Sequence, residues 1–346
     1  MSNALSPSDA PSAVLVRYPN WIGDAIMALP VLEVLRALWP RASLGVQAHS
    51  RVRGLLEGHP AVGRFHPVPV RGEVTWSEAL QSLRGCAYPL GLLLTPSFSS
   101  ALQFFLGGVR ERVGWTGEMR DALLTRRVAQ PPRTTRLGLQ YQELLRPLGW
   151  VGPPQRAHFA PPATDRASAG AWLAERGLSG ARPVALAPGA AYGPAKRWPA
   201  GHYRELARRV AEELGVPVVA LGSRSEAPLL ASVVEGVRGA HAMAGELNLR
   251  ASAALLAQCR ALVGNDSGTV HLARAVGTPV VVLFGSSSPD WSGPEADEGE
   301  ALYRGLDCSP CFKRDCPLTS GRFACLTGLE VAEALAALGR VTGSGR

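Results

Sequence analysis

The most constraining feature of the chain is a strand–loop–helix unit that recurs along its length. Apolar runs at 13–17, 43–47, 90–95, 183–187, 216–221, 261–264 and 279–284 read as strands. Stretches such as Leu92-Leu93-Leu94 are continuously apolar rather than alternating, the pattern of a strand covered on both faces. Between the runs, apolar residues recur at spacings of three and four, predicting helices at 25–38, near 50–57 and 76–84, and at 136–146, 165–176, 200–214, 226–237, 251–258 and 329–338. Regular alternation of strand and helix specifies a parallel α/β architecture. A Pro- and Gly-rich stretch from Pro147 to Pro162 interrupts it once. The expectation is therefore two Rossmann-like domains, at 13–160 and 165–338, with the final helix free to pack back on the first. The 346 residues suffice for both. Two doubly wound units imply an interdomain active-site cleft, with ligands beyond the carboxyl ends of the strands.

Several chemistries are disfavoured at once. No G-x-G-x-x-G follows the first strand, no Walker pattern is present, and G-x-S-x-G is absent, so dinucleotide-dependent, P-loop and serine-hydrolase readings lack their motifs. Net charge is +8, unevenly spread: residues 1–160 carry 17 Arg and no Lys against 10 acidic side chains, whereas 161–346 carry 17 Arg and 2 Lys against 18. The positive field of the first half suits an anionic small substrate or a lipid headgroup. No dense basic run or RNA-binding signature points to nucleic acid. No apolar run reaches the length of a membrane span, and the first 12 residues contain no Lys or Arg, which speaks against a secretory signal and for a short disordered tip. A cytoplasmic protein is expected. Arg supplies 34 of the 36 basic side chains, which marks Lys196 and Lys313 as exceptions.

The loops that follow the strands concentrate chemistry. In Arg17-Tyr18-Pro19-Asn20-Trp21-Ile22-Gly23-Asp24, the strand runs into a turn and a helix. Asp24 either caps backbone N–H groups or serves as a general base, and Trp21 either stacks on a sugar or joins the core. Ser97 precedes the next helix, and Arg112 and Arg120 either hold an acceptor's phosphate or carboxylate or form surface salt bridges. Residues 188–199 place Tyr192 and Lys196 in a loop after a strand, where a lysine can stabilise a departing diphosphate. In Gly264-Asn265-Asp266-Ser267-Gly268-Thr269-Val270-His271, the N–H groups of Gly268 and Thr269 open a helix and suit a phosphate. Asp266 would orient that turn by accepting backbone hydrogen bonds. His271 would point at the same anion, particularly when protonated, or rest as a satisfied buried histidine. Ser286, Ser287 and Ser288 offer hydroxyls to phosphate or sugar.

Taken in order, the segments YPNWIGDAIMALPVL (18–32), SFSSAL (97–102), RVGWTGEMR (112–120), PGAAYGPAKRWP (188–199), GNDSGTVHLA (264–273), FGSSSPDW (284–291) and CSPCFKRDCP (308–317) are similar to the ADP-heptose:lipopolysaccharide heptosyltransferases, family-9 inverting glycosyltransferases, and within them to the heptosyltransferase II branch. The resemblance runs from about residue 13 to 338. It implies a GT-B fold, with an N-terminal acceptor-binding domain and a C-terminal nucleotide-sugar-binding domain. It makes Asp24 the base, assigns Lys196 to the diphosphate, and places Asp266, Ser267, Gly268, Thr269 and His271 around the donor phosphates, with Tyr192 beside them. Catalysis would then rest on Asp24, Lys196 and His271, and acceptor binding on Asn20, Trp21, Ser97, Arg112 and Arg120. The implied partners are ADP-heptose and a lipid-A-linked inner-core oligosaccharide, met in transient contact with the cytoplasmic face of the inner membrane. No cofactor is required, and Mg²⁺ is at most stimulatory. The competing readings are a related transferase with another acceptor or nucleotide sugar, and a non-catalytic nucleotide- or glycan-binding module.

Cys308, Cys311, Cys316 and Cys325 form a cluster in sequence. Four thiolates can hold a metal, yet their spacing matches no familiar structural zinc site; reduced loop thiols are the main alternative reading, and a cytoplasmic setting disfavours a persistent disulfide. The related family commonly carries a Gly-His pair before its last cysteine. Here 319–325 reads TSGRFAC, so no role of that histidine transfers.

Overall fold

The computed structural model describes residues 10–343; the expected N-terminal tip lies, up to residue 9, outside them. The chain divides into two compact units between Ala157 and His158. In the first, β1 (Ala13–Arg17), β2 (Ser43–Ala48), β3 (Arg64–Pro67), β4 (Leu90–Leu93), β5 (Glu111–Trp115) and β6 (Arg126–Val128) form one sheet in the order β3-β2-β1-β4-β5-β6. In the second, β7 (Val184–Ala187), β8 (Val218–Gly222), β9 (Ala240–Ala244), β10 (Ala261–Asn265), β11 (Val280–Phe284) and β12 (Gly299–Tyr303) form another in the order β9-β8-β7-β10-β11-β12. All ten strand pairings are parallel. Both sheets thus share one topology. The winding direction reverses between β1 and β4, and again between β7 and β10. Loops leaving the carboxyl ends of those neighbours diverge, which opens a crevice at each reversal.

The continuously apolar runs are the central strands. Val14, Leu15 and Val16 in β1 and Val281, Val282 and Leu283 in β11 are buried, covered by helices on both faces. The strands for which the sequence shows no comparable run are β3, β5, β6, β9 and β12, and all but β5, which lies between β4 and β6, are sheet edges. An edge strand has one ladder partner and a partly wet flank, so Arg126-Arg127-Val128 can pair without an apolar run.

One expectation changes on inspection. The helix expected at 25–38 is two helices, Ile22–Met27 and Leu29–Leu38. Pro30 has no N–H to return to the preceding turn, so the helix ends and restarts around Ala28. The final helix, Val331–Thr342, packs against the helix Ala200–Glu213 and strands β10, β11 and β12. Its buried Ala334, Ala337 and Leu338 belong to the core of the second unit. Among the described residues, no helix is long and apolar enough to cross a membrane.

Packing in the first sheet leaves no room at Gly91 on β4: a Cβ there would lie 2.6 Å from the Phe104 ring and 2.7 Å from Val109 Cγ1. Gly91→Ala should lower the unfolding free energy of this unit by about 1–3 kcal/mol through overpacking. Chemical denaturation followed by circular dichroism checks this, and an unshifted midpoint would count against the tight packing described.

Candidate functional site

In the first unit, the loop after β1 is set by Arg17. Burial lowers its pKa to about 10. Its guanidinium donates to the carbonyls of Tyr18 and Gln47 and, at 3.0 Å, to Asn20 Oδ1. Asn20 therefore acts within the loop, and its amide oxygen is occupied. Trp21 is exposed at the start of the helix Ile22–Met27, with the Arg51 guanidinium 5.4 Å from its ring centroid. Asp24 is half-buried in the first turn of that helix. The buried Tyr141 phenol has a raised pKa, first from burial and then from the negative charge of Asp24. Tyr141 in turn stacks at a tilt on Trp115, the last residue of β5. Asp24 thus faces the same carboxyl-end region as β5.

The other first-unit candidates diverge. Ser97 caps the helix Phe98–Leu106, accepting from Ser100 N at 3.4 Å. Arg112 lies near the amino end of β5 and donates to the carbonyls of Leu123, Val109 and Arg110. The structure does not bring it to the carboxyl-end crevice. Arg120 is fully buried, and burial lowers its pKa to about 10. It donates to Trp115 O at 2.9 Å and Thr95 O at 2.5 Å, clamping the ends of β5 and β4. Arg120 Nη2, Thr95 Oγ1, Trp115 Nε1 and Tyr18 Oη are buried without a partner. Such groups mark a place where water or a substrate hydroxyl completes the hydrogen bonding.

The four clustered cysteines are free thiols. The Cys325 thiol is held above its ordinary pKa by burial and then by the charges of Cys308, Cys311 and Cys316 nearby. Among the described residues, no group of three or more His, Cys, Asp or Glu side chains is arranged to hold a metal ion.

In the second unit, the crevice between β7 and β10 gathers the candidates. Asn265 ends β10 and is wholly buried. Its Oδ1 accepts from Trp198 N at 2.9 Å and Tyr203 Oη at 3.0 Å, and its Nδ2 donates to Pro188 O at 2.8 Å. This side chain locks the loop after β7 to the end of β10, a role that a buried polar residue closing a central strand would suggest. Next to it, Asp266 accepts Lys196 Nζ at 2.5 Å and Ser287 Oγ at 2.6 Å on Oδ2, and Ser292 Oγ at 3.0 Å on Oδ1. His271 Nε2 lies 3.5 Å from Oδ1. Lys196 Nζ is also 5.4 Å from the centroid of the Tyr192 ring, whose hydroxyl donates to Phe312 O at 2.6 Å.

Two expectations are corrected here. Asp266 is held by side-chain donors of three different segments, not by the backbone of its own turn. His271 addresses Asp266 and is not set up as a cation: burial lowers its pKa, and Arg274 and Lys196 act in the same direction, against the opposing pull of Asp266. The helix Gly268–Ala275 that follows has Ser267 at its N-cap, with the hydroxyl oxygen buried, unpartnered and making no cap hydrogen bond. Ser286 Oγ is buried and unpartnered too. Unused hydroxyls beside the free N–H groups of a helix start form a receptor for an anion.

Burial alone would raise the Asp266 pKa, but Lys196 and then His271 hold it far below the ordinary carboxylate range. A carboxyl whose pKa is depressed by folding stabilises the native state above its unfolded pKa, and that contribution is lost only as pH falls through the depressed native value. Asp266→Asn keeps the shape but leaves the Lys196 ammonium without its counter-charge, and should destabilise the protein by about 3 kcal/mol at pH 7. Urea denaturation at pH 7 and pH 4 checks it. The deficit should persist at pH 4, and equal stability of the two proteins would contradict the buried pairing.

Comparison with known proteins fits this geometry. Residues 76–320 match glycosyltransferase family 9 (heptosyltransferase). Lipopolysaccharide heptosyltransferase 2 of Escherichia coli K12 is 35% identical over 313 residues, covering 84% of this chain and 87% of the relative. Lipooligosaccharide heptosyltransferase 2 of Haemophilus influenzae is 30% identical, covering 84% and 88%. The solved structure of E. coli ADP-heptose lps heptosyltransferase II superposes with a TM-score of 0.80 at 28% identity, over 96% of this chain and 99% of that one. The fold is the GT-B class of those enzymes, built from two Rossmann-like α/β units. The chain is a member of glycosyltransferase family 9, the heptosyltransferases.

Proposed function

We propose that this glycosyltransferase moves an L-glycero-D-manno-heptose from ADP-heptose to a heptose of the lipopolysaccharide inner core, with inversion at the anomeric carbon. The observation that carries the reading is the Lys196–Asp266 pair beside the unpartnered Ser267 hydroxyl at the β7–β10 crevice. It occurs in a chain 35% identical to proteins named lipopolysaccharide heptosyltransferase 2. An ammonium has three N–H donors. Those of Lys196 reach Asp266 Oδ2 and, at 3.4 Å, Asp266 O, which leaves one for the diphosphate. Ser267 and the N–H groups of Gly268 and Thr269 receive the remaining phosphate oxygens. Asp266 positions Lys196, and His271 and Tyr192 support the pair.

In the reaction, the Asp24 carboxylate takes the proton of the acceptor hydroxyl. The freed oxygen bonds to the anomeric carbon from the face opposite the diphosphate. The bond to the β-phosphate oxygen breaks, and its electron pair leaves with ADP. Attack is direct, so a second carboxylate acting as nucleophile is not needed. On the acceptor side, Trp21 offers an exposed ring face for a sugar. The loop fixed by Asn20, the capped turn at Ser97 and the buried, unsatisfied edge of Arg120 offer polar contacts. Arg112 supports β5 instead.

The acceptor is lipid-linked, so the encounter takes place at a membrane surface, by this reading the cytoplasmic face of the inner membrane. The positive charge of residues 1–160 supports such contact, as do the exposed Trp21, Trp76, Phe98 and Met119, all on loops or helix starts following first-unit strands.

Incubation of the enzyme with ADP-heptose and a mono-heptosylated acceptor should yield a product one heptose heavier by mass spectrometry; transfer only to other acceptors, or only from other nucleotide sugars, would replace the reading. Asp24→Ala should lower turnover at least about 100-fold with donor affinity nearly unchanged, and near-normal turnover would remove Asp24 as the base. Association with vesicles containing anionic lipid should weaken as salt rises from low to molar concentration. Salt-independent association would exclude the electrostatic account.

A further inference from the structure

The charge around the β7–β10 crevice falls short of what a departing diphosphate demands. The Lys196 ammonium is matched by Asp266 at 2.5 Å. Arg274 is matched by Glu298 at 2.6 Å, and Arg197 donates to the carbonyl of Ala190. His271 is buried beside these cations and is held toward its neutral form. The hydroxyls of Ser267 and Ser286 and the helix N–H groups orient an anion without neutralising it. A leaving diphosphate gains negative charge as its bond to the sugar breaks, so the transition state needs more positive charge than these residues supply.

A cation-bearing segment is stitched onto the same loops. Ser309 Oγ donates to Gly285 O, and Phe312 N donates to Ser286 O at 2.7 Å. Phe312 O accepts from Tyr192 Oη, and Arg314 Nε donates to Tyr192 O at 2.7 Å. Arg314 O accepts from Ala195 N at 3.2 Å, while Ala195 O accepts from Ser286 N at 3.2 Å. The approach is close enough that a Cβ on Gly193 would lie 2.3 Å from Arg314 O. Lys313 sits between the two anchored residues, Phe312 and Arg314, and is exposed. Among the described residues it is engaged in no ion pair. Ala195 adjoins Lys196, so the backbones of Lys313 and Lys196 lie within about 13 Å, a span two lysine side chains can close around a diphosphate. These are also the only two lysines in a chain with 34 Arg. A lysine is a compact, mobile point charge that can follow a phosphate as it leaves, which a planar, carbonyl-bound guanidinium cannot.

We propose that residues 309–314 form a strap of the donor site and that Lys313 supplies its second cation, binding the diphosphate of the nucleotide and of the leaving group. The inference rests on the nucleotide-sugar reading of the crevice and adds a residue to it. The test is calorimetric titration of the full chain with ADP and with AMP, for the wild type, Lys313→Ala and Lys313→Arg. Lys313→Ala should bind ADP about tenfold more weakly and AMP less than about threefold more weakly, with Lys313→Arg between it and the wild type. Unchanged ADP affinity in Lys313→Ala would overturn the proposal. An equal loss for ADP and AMP would overturn it too, since that marks a general disturbance rather than a contact with the diphosphate. Wild-type turnover of ADP-heptose, measured in the same series, separates the two readings: absent turnover counts against the heptosyltransferase function, while the ADP-to-AMP difference judges Lys313.

Discussion

The ion pair between Lys196 and Asp266 is the interaction on which the second unit's site depends. Placing an ammonium and a carboxylate in the interior is unfavourable unless both are well hydrogen-bonded. Here the carboxylate is met by a lysine from the loop after β7 and by serines at 287 and 292 from the segment after β11, with a histidine of the following helix close by. The donors come from three segments, so satisfying one carboxylate fixes those segments against the end of β10. Asn265, one residue earlier, repeats the device with backbone groups as its partners. The result is a rigid rim around a helix start whose own donors are left unused. On the proposed reading, a rim of this kind would receive a phosphate without rearranging, which is the condition for electrostatic stabilisation of a leaving group.

The first unit solves the same topological problem with different chemistry. Its crevice is organised by buried guanidinium groups that donate to strand-end carbonyls: Arg17 at β1 and β2, Arg120 at β4 and β5. These arginines bring charge into the interior without acidic side chains as hydrogen-bond partners, and burial depresses the pKa of both. Several polar atoms stay unsatisfied around them. On the proposed reading, a saccharide acceptor, rich in hydroxyls, would complement such a surface, whereas the second unit's Lys196 ammonium and helix start would complement a phosphate. The two halves share a fold and differ in what their loops offer.

Much of this was legible in the sequence, and the part that was not has a physical reason. Central strands other than β5 announce themselves because both faces are buried, and the Pro- and Gly-rich stretch from Pro147 marks the linker. Edge strands such as Arg64-Phe65-His66-Pro67 do not announce themselves, since one free flank removes the need for apolar residues. The functional loops were visible as polar segments between apolar runs, so Lys196, Asp266, Ser267 and His271 could be named. Their mutual geometry could not. A one-dimensional reading has no way to see that Ser292, 26 residues beyond Asp266, donates to it. Nor could it show that burial, with nearby cations adding to it, holds His271 toward its neutral form, or that Arg112 turns to carbonyls at the wrong end of its strand. Direction and partner choice are tertiary properties, set by packing rather than by residue type.

A structure of the protein with ADP bound tests the central claim most directly. A diphosphate oxygen should lie within hydrogen-bond distance of both Lys196 Nζ and Ser267 Oγ, with Asp266 still holding Ser287 and Ser292. ADP seated away from the helix start at Gly268, or a Lys196 that touches only Asp266 in the complex, would contradict it.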